Sequence, residues 1–409
     1  MRLLVLLIVG LAAGCVVVPG NRPRGYGQVQ VQGTATVGGA PPAYDAAPQP
    51  VAVGGAQPTY APAPQPPGLA SKPVATGENH VCVLKSGDVH CWGSNLKGTL
   101  GLGTNAEPAS GVVRGIGSDA HDVIEIVAGD YHTCALTASR AMWCWGSNHV
   151  AQLGQGSATE TPINTPQPIR ESGIRSIYAG PKSTCLQKDD GDVLCWGQNT
   201  VGAIRPGKEP VLSPTRVPAL DGADHIAIGD YAICALRAGL VSCTGWLAEI
   251  NQQLAALPPV ASLTAGWGHA CVVAAGKVIC WGRNFQGALG HGDPCADQPT
   301  KEARSACLIK EADVTYPPRP VPGITDPIVQ VADTCALAAS GKVICWGGRG
   351  QNILARGLQE PYRPAHTLEG IDQVTAFYAG DTFYCFLRTS QLICRGQPWS
   401  NAVSATIAR

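Results

Sequence analysis

The chain of 409 residues carries 29 basic and 29 acidic side chains, so no net field exists to recruit nucleic acid or anionic lipid. Only 14% of its residues are charged, while glycine supplies 50 and proline 33. That composition fits many short strands joined by turns, and no segment shows long helical periodicity or a Rossmann-type alternation of helix and strand.

The chain opens with Met1-Arg2 and an apolar run from Leu3 to Ala13. A positive start followed by so short an apolar stretch predicts a secretory signal. The stretch ends Leu11-Ala12-Ala13-Gly14-Cys15, which resembles a bacterial lipobox, with Ala12 where that motif usually has Leu. The 17 cysteines are an odd number, and setting Cys15 aside leaves an even set. Residues 1–14 are therefore expected to be a lipoprotein signal peptide, with Cys15 lipidated; ordinary signal cleavage near the same place is the alternative. Val16 rather than Asp after the cysteine is compatible with outer-membrane sorting. Residues 15–74, with PPAYDAAPQP and YAPAPQPP, read as a disordered Pro/Gly/Ala-rich linker. As polyproline II, about 55 such residues reach about 170 Å, enough to lift a domain off a membrane.

Beyond the linker one unit recurs: a cysteine, eight or nine residues, and a second cysteine usually followed by Trp-Gly. Seven pairs are countable: Cys82/Cys91, Cys134/Cys144, Cys185/Cys195, Cys234/Cys243, Cys271/Cys280, Cys335/Cys345 and Cys385/Cys394. First cysteines are separated by 52, 51, 49, 37, 64 and 50 residues, a period that marks a repeat architecture. In the first copy a two-residue turn at Ser86-Gly87 pairs Lys85 with Asp88 and places Cys82 opposite Cys91, within disulfide reach. Where the spacing is one longer, the turn gains a residue, as in Asp189-Asp190-Gly191 and Ala339-Ser340-Gly341. A three-residue hairpin wants a left-handed residue last; Arg140 holds that place in the second copy, ahead of Cys144. Turn length and cysteine spacing thus change together, as a disulfide within each hairpin requires. Each repeat also opens with an apolar strand ending Ala-Gly and closes with a Gly/Asn-rich turn and a short outer strand. About four strands per repeat make a propeller blade.

The pattern AG-x-x-H-T-C-A-L followed by V-x-C-W-G-x-N-x-x-G-x-L-G-x-G resembles the regulator-of-chromosome-condensation repeat, in a cysteine-paired form like that of secreted bacterial proteins. Five copies keep the C-W-G triplet, at Trp92, Trp145, Trp196, Trp281 and Trp346. The resemblance covers residues from about 75 to 400 and implies an all-β, seven-bladed β-propeller over 75–409. Repeats fall near 75–125, 126–176, 177–225, 226–262, 263–327, 328–376 and 377–409. Two copies depart from the pattern: the fourth is short and reads Cys243-Thr244-Gly245-Trp246, and the seventh reads Cys394-Arg395-Gly396.

The long fifth interval holds the last two cysteines, Cys295 and Cys307, read as a loop closed by its own disulfide; with His291 nearby a zinc site would still lack a fourth ligand. Eight disulfides demand an oxidising compartment. No nucleophile, metalloprotease or phosphate-loop motif is present, so neither catalytic residues nor a cofactor or metal are expected. Four residues before the first cysteine of a blade stand Glu78, Asp130, Asp230 and Asp381, with Asp333 in a shortened turn and Pro181 and Trp267 in two other blades. Tyr131 and Tyr231 follow two of the acids. If the Ala-Gly strand is innermost, these loops ring one mouth of the channel, an acidic and aromatic rim for a cationic peptide, a protein surface or a glycan. Asp and Glu that merely cap their own turns are the plainer alternative. His80, His132 and His269, two residues before their cysteines, are expected to be architectural hydrogen-bonders and not a metal ring.

The expectation is a monomeric, membrane-tethered lipoprotein, outer-membrane in location, whose propeller binds a protein or glycan and no nucleic acid. A secreted proteinaceous enzyme inhibitor is the first rival, since a secreted inhibitor of β-lactamases resembles this repeat class, and a polysaccharide-acting enzyme is the second. Replacing Cys15 with Ser should move the protein from the membrane to the soluble fraction on cell fractionation; an unchanged partition would count against lipidation.

Overall fold

Hairpins with β-branched arms and tight turns generate the architecture locally, and the structure, a computed structural model, stacks seven of them in a ring. It describes residues 72–107, 109–117, 122–311, 314–348, 362–380, 382–389, 391–396 and, as backbone, 403–406. The expected signal peptide, Cys15 and the linker up to residue 71 lie outside these.

Each blade is an antiparallel meander of consecutive strands. Blade 1 comprises Val74–Thr76, His80–Lys85, Asp88–Gly93 and Ala109–Val112, and blade 2 Val123–Ala128, His132–Thr137, Met142–Asn148 and Thr159–Pro168. Blade 3 comprises Ile174–Ala179, Ser183–Lys188, Val193–Gly197 and Val211–Arg216. Blade 4 has three strands, His225–Ile228, Ala232–Arg237 and Leu240–Gly245. Blade 5 comprises Val260–Ala265, His269–Ala274, Lys277–Gly282 and Tyr316–Pro320, and blade 6 Ile328–Ala332, Cys335–Ala338, Val343–Cys345 and His366–Thr367. Blade 7 comprises Ala376–Ala379, Phe383–Arg388, Gln391–Gly396 and Val403–Thr406. First strands of successive blades touch one another all the way round, including blade 7 to blade 1, so they are innermost. Closure there uses side chains: Thr76 Oγ1 donates to the Ala379 carbonyl at 2.7 Å, and Thr382 Oγ1 to the Glu78 carbonyl at 2.5 Å.

The turns have the predicted chemistry. Ser86 and Gly87, Ala238 and Gly239, and Ala275 and Gly276 all have positive φ, the type I′ geometry whose twist matches the flanking strands. Counting from the hydrogen-bonded pair Lys85↔Asp88, alternation places Cys82↔Cys91 at a non-hydrogen-bonded site, where opposed Cα atoms come closest. Disulfides join Cys82 to Cys91, Cys134 to Cys144, Cys185 to Cys195, Cys234 to Cys243, Cys271 to Cys280, Cys335 to Cys345 and Cys385 to Cys394. All seven occupy such register pairs, with Cα–Cα of 4.0–4.1 Å. The longer turns end on Gly191 (φ 94°), Gly341 (φ 79°) and Arg140 (φ 64°). Arg140 is held left-handed by its own reach: Nη1 donates to the carbonyls of Ile174 and Arg175 in blade 3, at 3.3 Å each.

Three features depart from the expected repeat of four strands with a short outer one. In blade 2 the departure begins at Cys144, whose outward neighbour is not part of a short strand. The outer strand there runs ten residues, Thr159–Pro168. Cys144 faces Gln167, but the register then shifts twice, to Gly146↔Ile163 and Asn148↔Thr159. Pro162 and Pro166 fall in the two skipped stretches, as residues without an N–H to give the ladder must. The short fourth copy has lost its outer strand, and Trp246–Ile250 (3-10 helix) and Asn251–Leu254 (α-helix) run in its place. The long fifth interval contains an α-helix, Lys301–Glu311. Thr300 caps it, accepting from the Ala303 amide at 3.1 Å. The Cys295–Cys307 disulfide, an Arg304–Asp293 ion pair and a Tyr316–Glu311 hydrogen bond fasten it to blade 5.

Innermost strands have one edge without a ladder, and side chains from neighbouring blades satisfy it. Glu125 accepts from the Ile177 amide at 3.0 Å, Ser262 from Val331 at 3.3 Å, and Gln330 bonds both backbone groups of Phe377. Lys72, just ahead of blade 1, reaches the same place: its Nζ lies 2.6 Å from Glu125, donates to Ser176 Oγ and the Ile177 carbonyl, and sits 3.8 Å over the Tyr178 ring. Burial lowers the Lys72 pKa, opposed by the attraction of Glu125. One carboxylate thus joins the entry of blade 1 to blades 2 and 3. Glu125→Ala leaves a largely buried ammonium and an amide uncapped, and should destabilise the propeller by about 3 kcal/mol, read as a lowered guanidinium midpoint at pH 7.

Candidate binding mouth

The link between blades fixes where the mouth loops lie. In four complete blades an asparagine after Trp-Gly staples its loop: Asn95 Oδ1 accepts from Leu100 N, Asn148 from Leu153, Asn199 from Ile204 and Asn284 from Leu289, at 2.9–3.1 Å. Thus stapled, the carbonyl four residues after the asparagine meets the next blade. Thr99 O receives Trp145 Nε1 (2.8 Å) and Thr133 Oγ1 (2.9 Å), and Gln152 O receives Trp196 Nε1 (2.9 Å) and Thr184 Oγ1 (2.7 Å). Ala288 O receives Trp346 Nε1 at 2.8 Å. These tryptophans are fully buried.

The histidines belong to this seam. His80 Nε2 lies 2.9 Å from Thr133 Oγ1, and His132 Nε2 2.8 Å from Thr184 Oγ1. Each threonine hydroxyl spends its proton on the loop carbonyl, so the imidazole must donate, which fixes the neutral Nε2–H tautomer. Burial pushes His80 down to about 4 and His132, helped by the neighbouring His80 and His149, to about 3. His269 Nε2 stands 3.5 Å from Asp333 Oδ1. The three histidines occupy separate interfaces, and among the described residues no group of three or more His, Cys, Asp or Glu side chains is placed for a metal ion.

The rim residues sit in the loops before the second strands. Glu78 and Asp130 are half-buried, and their backbones are linked: the Glu78 amide donates to the Asp130 carbonyl (3.1 Å) and the Asp130 amide to the Pro181 carbonyl (3.0 Å). Proline, lacking an N–H, donates no further bond of this kind. A β-carbon on Gly77 would lie 2.6 Å from the Gly129 carbonyl oxygen, so glycine is what lets adjacent loops approach. Tyr131 stands on blade 2, away from the other aromatic candidates. Asp333, with φ 49°, turns toward His269 in the seam between blades 5 and 6. Asp381 lies outside the described residues.

Tyr231, which follows Asp230, and Trp267 come together with residues the sequence reading did not single out. Tyr231 stacks on Trp246 (centroids 4.6 Å) and meets Trp267 edge-on at 5.6 Å, and Trp267 packs on Phe285 at 4.6 Å. The Arg283 guanidinium lies 3.6 Å over the Trp246 ring. Trp246 and Phe285 remain 38% and 42% exposed. A signal for this existed, because the residue after the third-strand glycine repeatedly bonds the mouth loop: Ser94 N to Asn79 O, Ser147 N to Tyr131 O, Trp246 N to Tyr231 O and Arg283 N to Gly268 O. Beside Trp246 a groove of about 590 Å³ runs along the blade 3 loop, Thr200–Gly202 and Pro206–Lys208. At the third-strand position where five copies have tryptophan, the short blade 4 has Thr244.

Models of the regulator of chromosome condensation (RCC1) repeat match residues 86–136 and 123–152. The ultraviolet-B receptor UVR8 of Arabidopsis thaliana is 28% identical over 244 residues, covering 54% of this chain and 55% of that protein. The ubiquitin-protein ligase HERC2 of Mus musculus is 26% identical over 254 residues, 55% of this chain and 5% of that protein. The match thus spans about half of the first relative and a small part of the second. Among solved structures, yeast RCC1 (Prp20) bound to Kap60 superposes with TM-score 0.60 at 18% identity, covering 82% of this chain and 85% of that one. Human WBSCR16 gives 0.61 at 16%, covering 78% and 87%.

His80 and His132 give the fold a pH dependence of definite sign. Their folded pKa values are depressed by burial, so between pH 6.5 and about 4 the unfolded chain binds protons that these two folded imidazoles refuse. The stability is complete above pH 6.5 and is lost as pH falls, by about 2–3 kcal/mol per histidine at pH 4.5. Denaturant midpoints at pH 7 and 4.5 should show the drop, and His132→Gln, which keeps a donor toward Thr184, should reduce it.

Proposed function

Because this chain is a seven-bladed propeller of the regulator-of-chromosome-condensation repeat type, we propose that it is a non-catalytic binding protein whose mouth over blades 3–5 captures a protein partner. The observation that carries this reading is the aromatic row Tyr231, Trp246, Trp267 and Phe285 with Arg283 laid on Trp246. Stacked rings fix one another's orientation, so little side-chain entropy is left to lose on binding. Tyr, Trp and Arg are also the residues on which protein interfaces concentrate their energy. Rim acids Glu78, Asp130 and Asp230 supply long-range attraction for a basic partner, while the rings supply affinity.

The compartment belongs to the same reading. Eight disulfides require export into an oxidising space, and no helix among the described residues is long and apolar enough to cross a membrane. From the disulfides and the lipobox-like Leu11-Ala12-Ala13-Gly14-Cys15 we place the propeller outside the cytoplasm, held by lipid on Cys15.

Affinity capture from an outer-membrane extract, followed by titration with the captured protein, tests the assignment. Trp246→Ala and Trp267→Ala should each weaken binding by about 2 kcal/mol, with little change in salt dependence. Asp130→Asn, Asp230→Asn and Asp381→Asn together should weaken it modestly and flatten its fall with rising salt, since exposed charges are individually weak and screened beyond about 8 Å. Unchanged affinity in both aromatic variants would move the site elsewhere on the propeller, and capture of glycan alone would overturn the choice of a protein partner.

A further inference from the structure

Blade 4 lacks one contiguous piece of a repeat. In blade 3 that piece is residues 198–217: an asparagine-stapled loop, the fourth strand Val211–Arg216, and Val217, which packs into the core. In blade 4 the chain passes from Gly245 into two short helical turns and on to blade 5. Three sets of polar groups register the loss.

The first is a donor. Trp145, Trp196 and Trp346 each give their indole N–H to a carbonyl in the preceding blade's loop. Trp281 holds the same position behind blade 4, which has no such loop. Its side chain is fully buried, and its Nε1 has no hydrogen-bond partner among the described residues. Leu247, Ile250 and Leu254 cover it with aliphatic surface and bring it no acceptor.

The second is the outer edge of Leu240–Gly245. In five other blades an aliphatic residue just past the fourth strand donates its amide to the carbonyl two residues before the second cysteine: Val113 to Val89, Ile169 to Met142, Val217 to Val193, Val321 to Val278 and Leu368 to Val343. The matching carbonyl in blade 4 is that of Val241, and nothing in the described residues donates to it. The neighbouring Leu240 is 60% exposed.

The third identifies the occupant. At Cys243 the outward backbone groups are met by one side chain: Asn251 Oδ1 accepts from the Cys243 amide (2.8 Å) and Asn251 Nδ2 donates to its carbonyl (2.9 Å). A primary amide is there doing what a peptide group of a fourth strand does at Cys91, Cys144, Cys195 and Cys280. Only a polypeptide backbone repeats that donor–acceptor pair at strand spacing.

We propose that blade 4 is an acceptor blade, completed in a complex by an extended polypeptide segment of a partner protein. The segment lies antiparallel to Leu240–Gly245, replaces Asn251 at Cys243, pairs with Val241 and offers one carbonyl to the Trp281 indole, while residues 247–254 give way and Trp246, whose amide is bonded to the Tyr231 carbonyl, stays in the mouth. The resident outer strands describe its side chains: TETPINTPQP, VLSPTR and YPPRP are rich in Thr, Ser and Pro and are followed by a buried Ile or Val. The segment expected is therefore polar and proline-containing, ending in a branched aliphatic residue. This stands on the sheet edge and the Trp281 donor, independently of the aromatic mouth.

The test uses the full-length protein and a synthetic peptide with the sequence of residues 198–217, the piece blade 3 has and blade 4 lacks. Hydrogen exchange should slow over 240–245 when the peptide is added, and a scrambled peptide should have no such effect. Asn251→Ala, which removes the competing amide, should tighten peptide binding several-fold, whereas a purely structural asparagine would not. Trp281→Phe should weaken it about tenfold. Trp267→Ala, which blunts the aromatic mouth, should leave protection unchanged, so failure of the mouth and failure of the edge are separable. Absence of protection in both the wild-type and Asn251→Ala proteins, or equal protection by the scrambled peptide, overturns the proposal.

Discussion

One hydrogen-bonded knot recurs from blade 1 to blade 2 and from blade 2 to blade 3: a loop carbonyl accepts from both the indole N–H and the threonine hydroxyl of the next blade. A blade this small has little core of its own, so most of its stability comes from its neighbours. The knot adds direction to that packing, because the carbonyl is aimed only when its asparagine staples the loop and the indole N–H must be met once the ring is buried. Tryptophan and asparagine are therefore one device, and a repeat that loses the loop strands the tryptophan behind it. That is the situation of Trp281.

What could be read in the sequence was local. Turn length and cysteine spacing belong to the same ten residues, so their covariation revealed hairpin register directly, including the left-handed position taken by Arg140 between Cys134 and Cys144. The number of blades followed from counting. Outward of Cys144 the same reading fails, because two register shifts depend on where Pro162 and Pro166 fall against a strand some twenty residues earlier. The helix Lys301–Glu311 left a weaker mark, Thr300 ahead of a charged first turn, easily lost beside the two cysteines that framed the segment as a loop. The missing strand of blade 4 was visible as a short interval, but what replaced it was not: Asn251 satisfies Cys243 through a contact no repeat pattern encodes.

The mouth was legible by position and illegible by role. Spacing placed Glu78, Asp130 and Asp230 on equivalent loops, yet the backbone bonds and half-burial of Glu78 and Asp130 make those loops structural members as well as a charged rim. Trp246, Phe285 and Arg283 come from other parts of their repeats, and only the recurring bond between the third-strand end and the mouth loop brings them beside Tyr231 and Trp267. Asp333 shows how one shortened turn converts a rim position into a seam position.

The covalent map has a mechanical meaning. Among the described residues every disulfide closes a loop within a blade, at sequence separations of 9–12, and none joins one blade to another or blade 7 to blade 1. Under tension the ring can part at any seam, while each hairpin stays shut. At about 3.4 Å per extended residue, each locked hairpin withholds about 30 Å of contour length. A pulled propeller would then lengthen by a series of short steps, one per blade, and each released blade would keep its hairpin, register intact, as a template for re-forming the sheet when the load is removed.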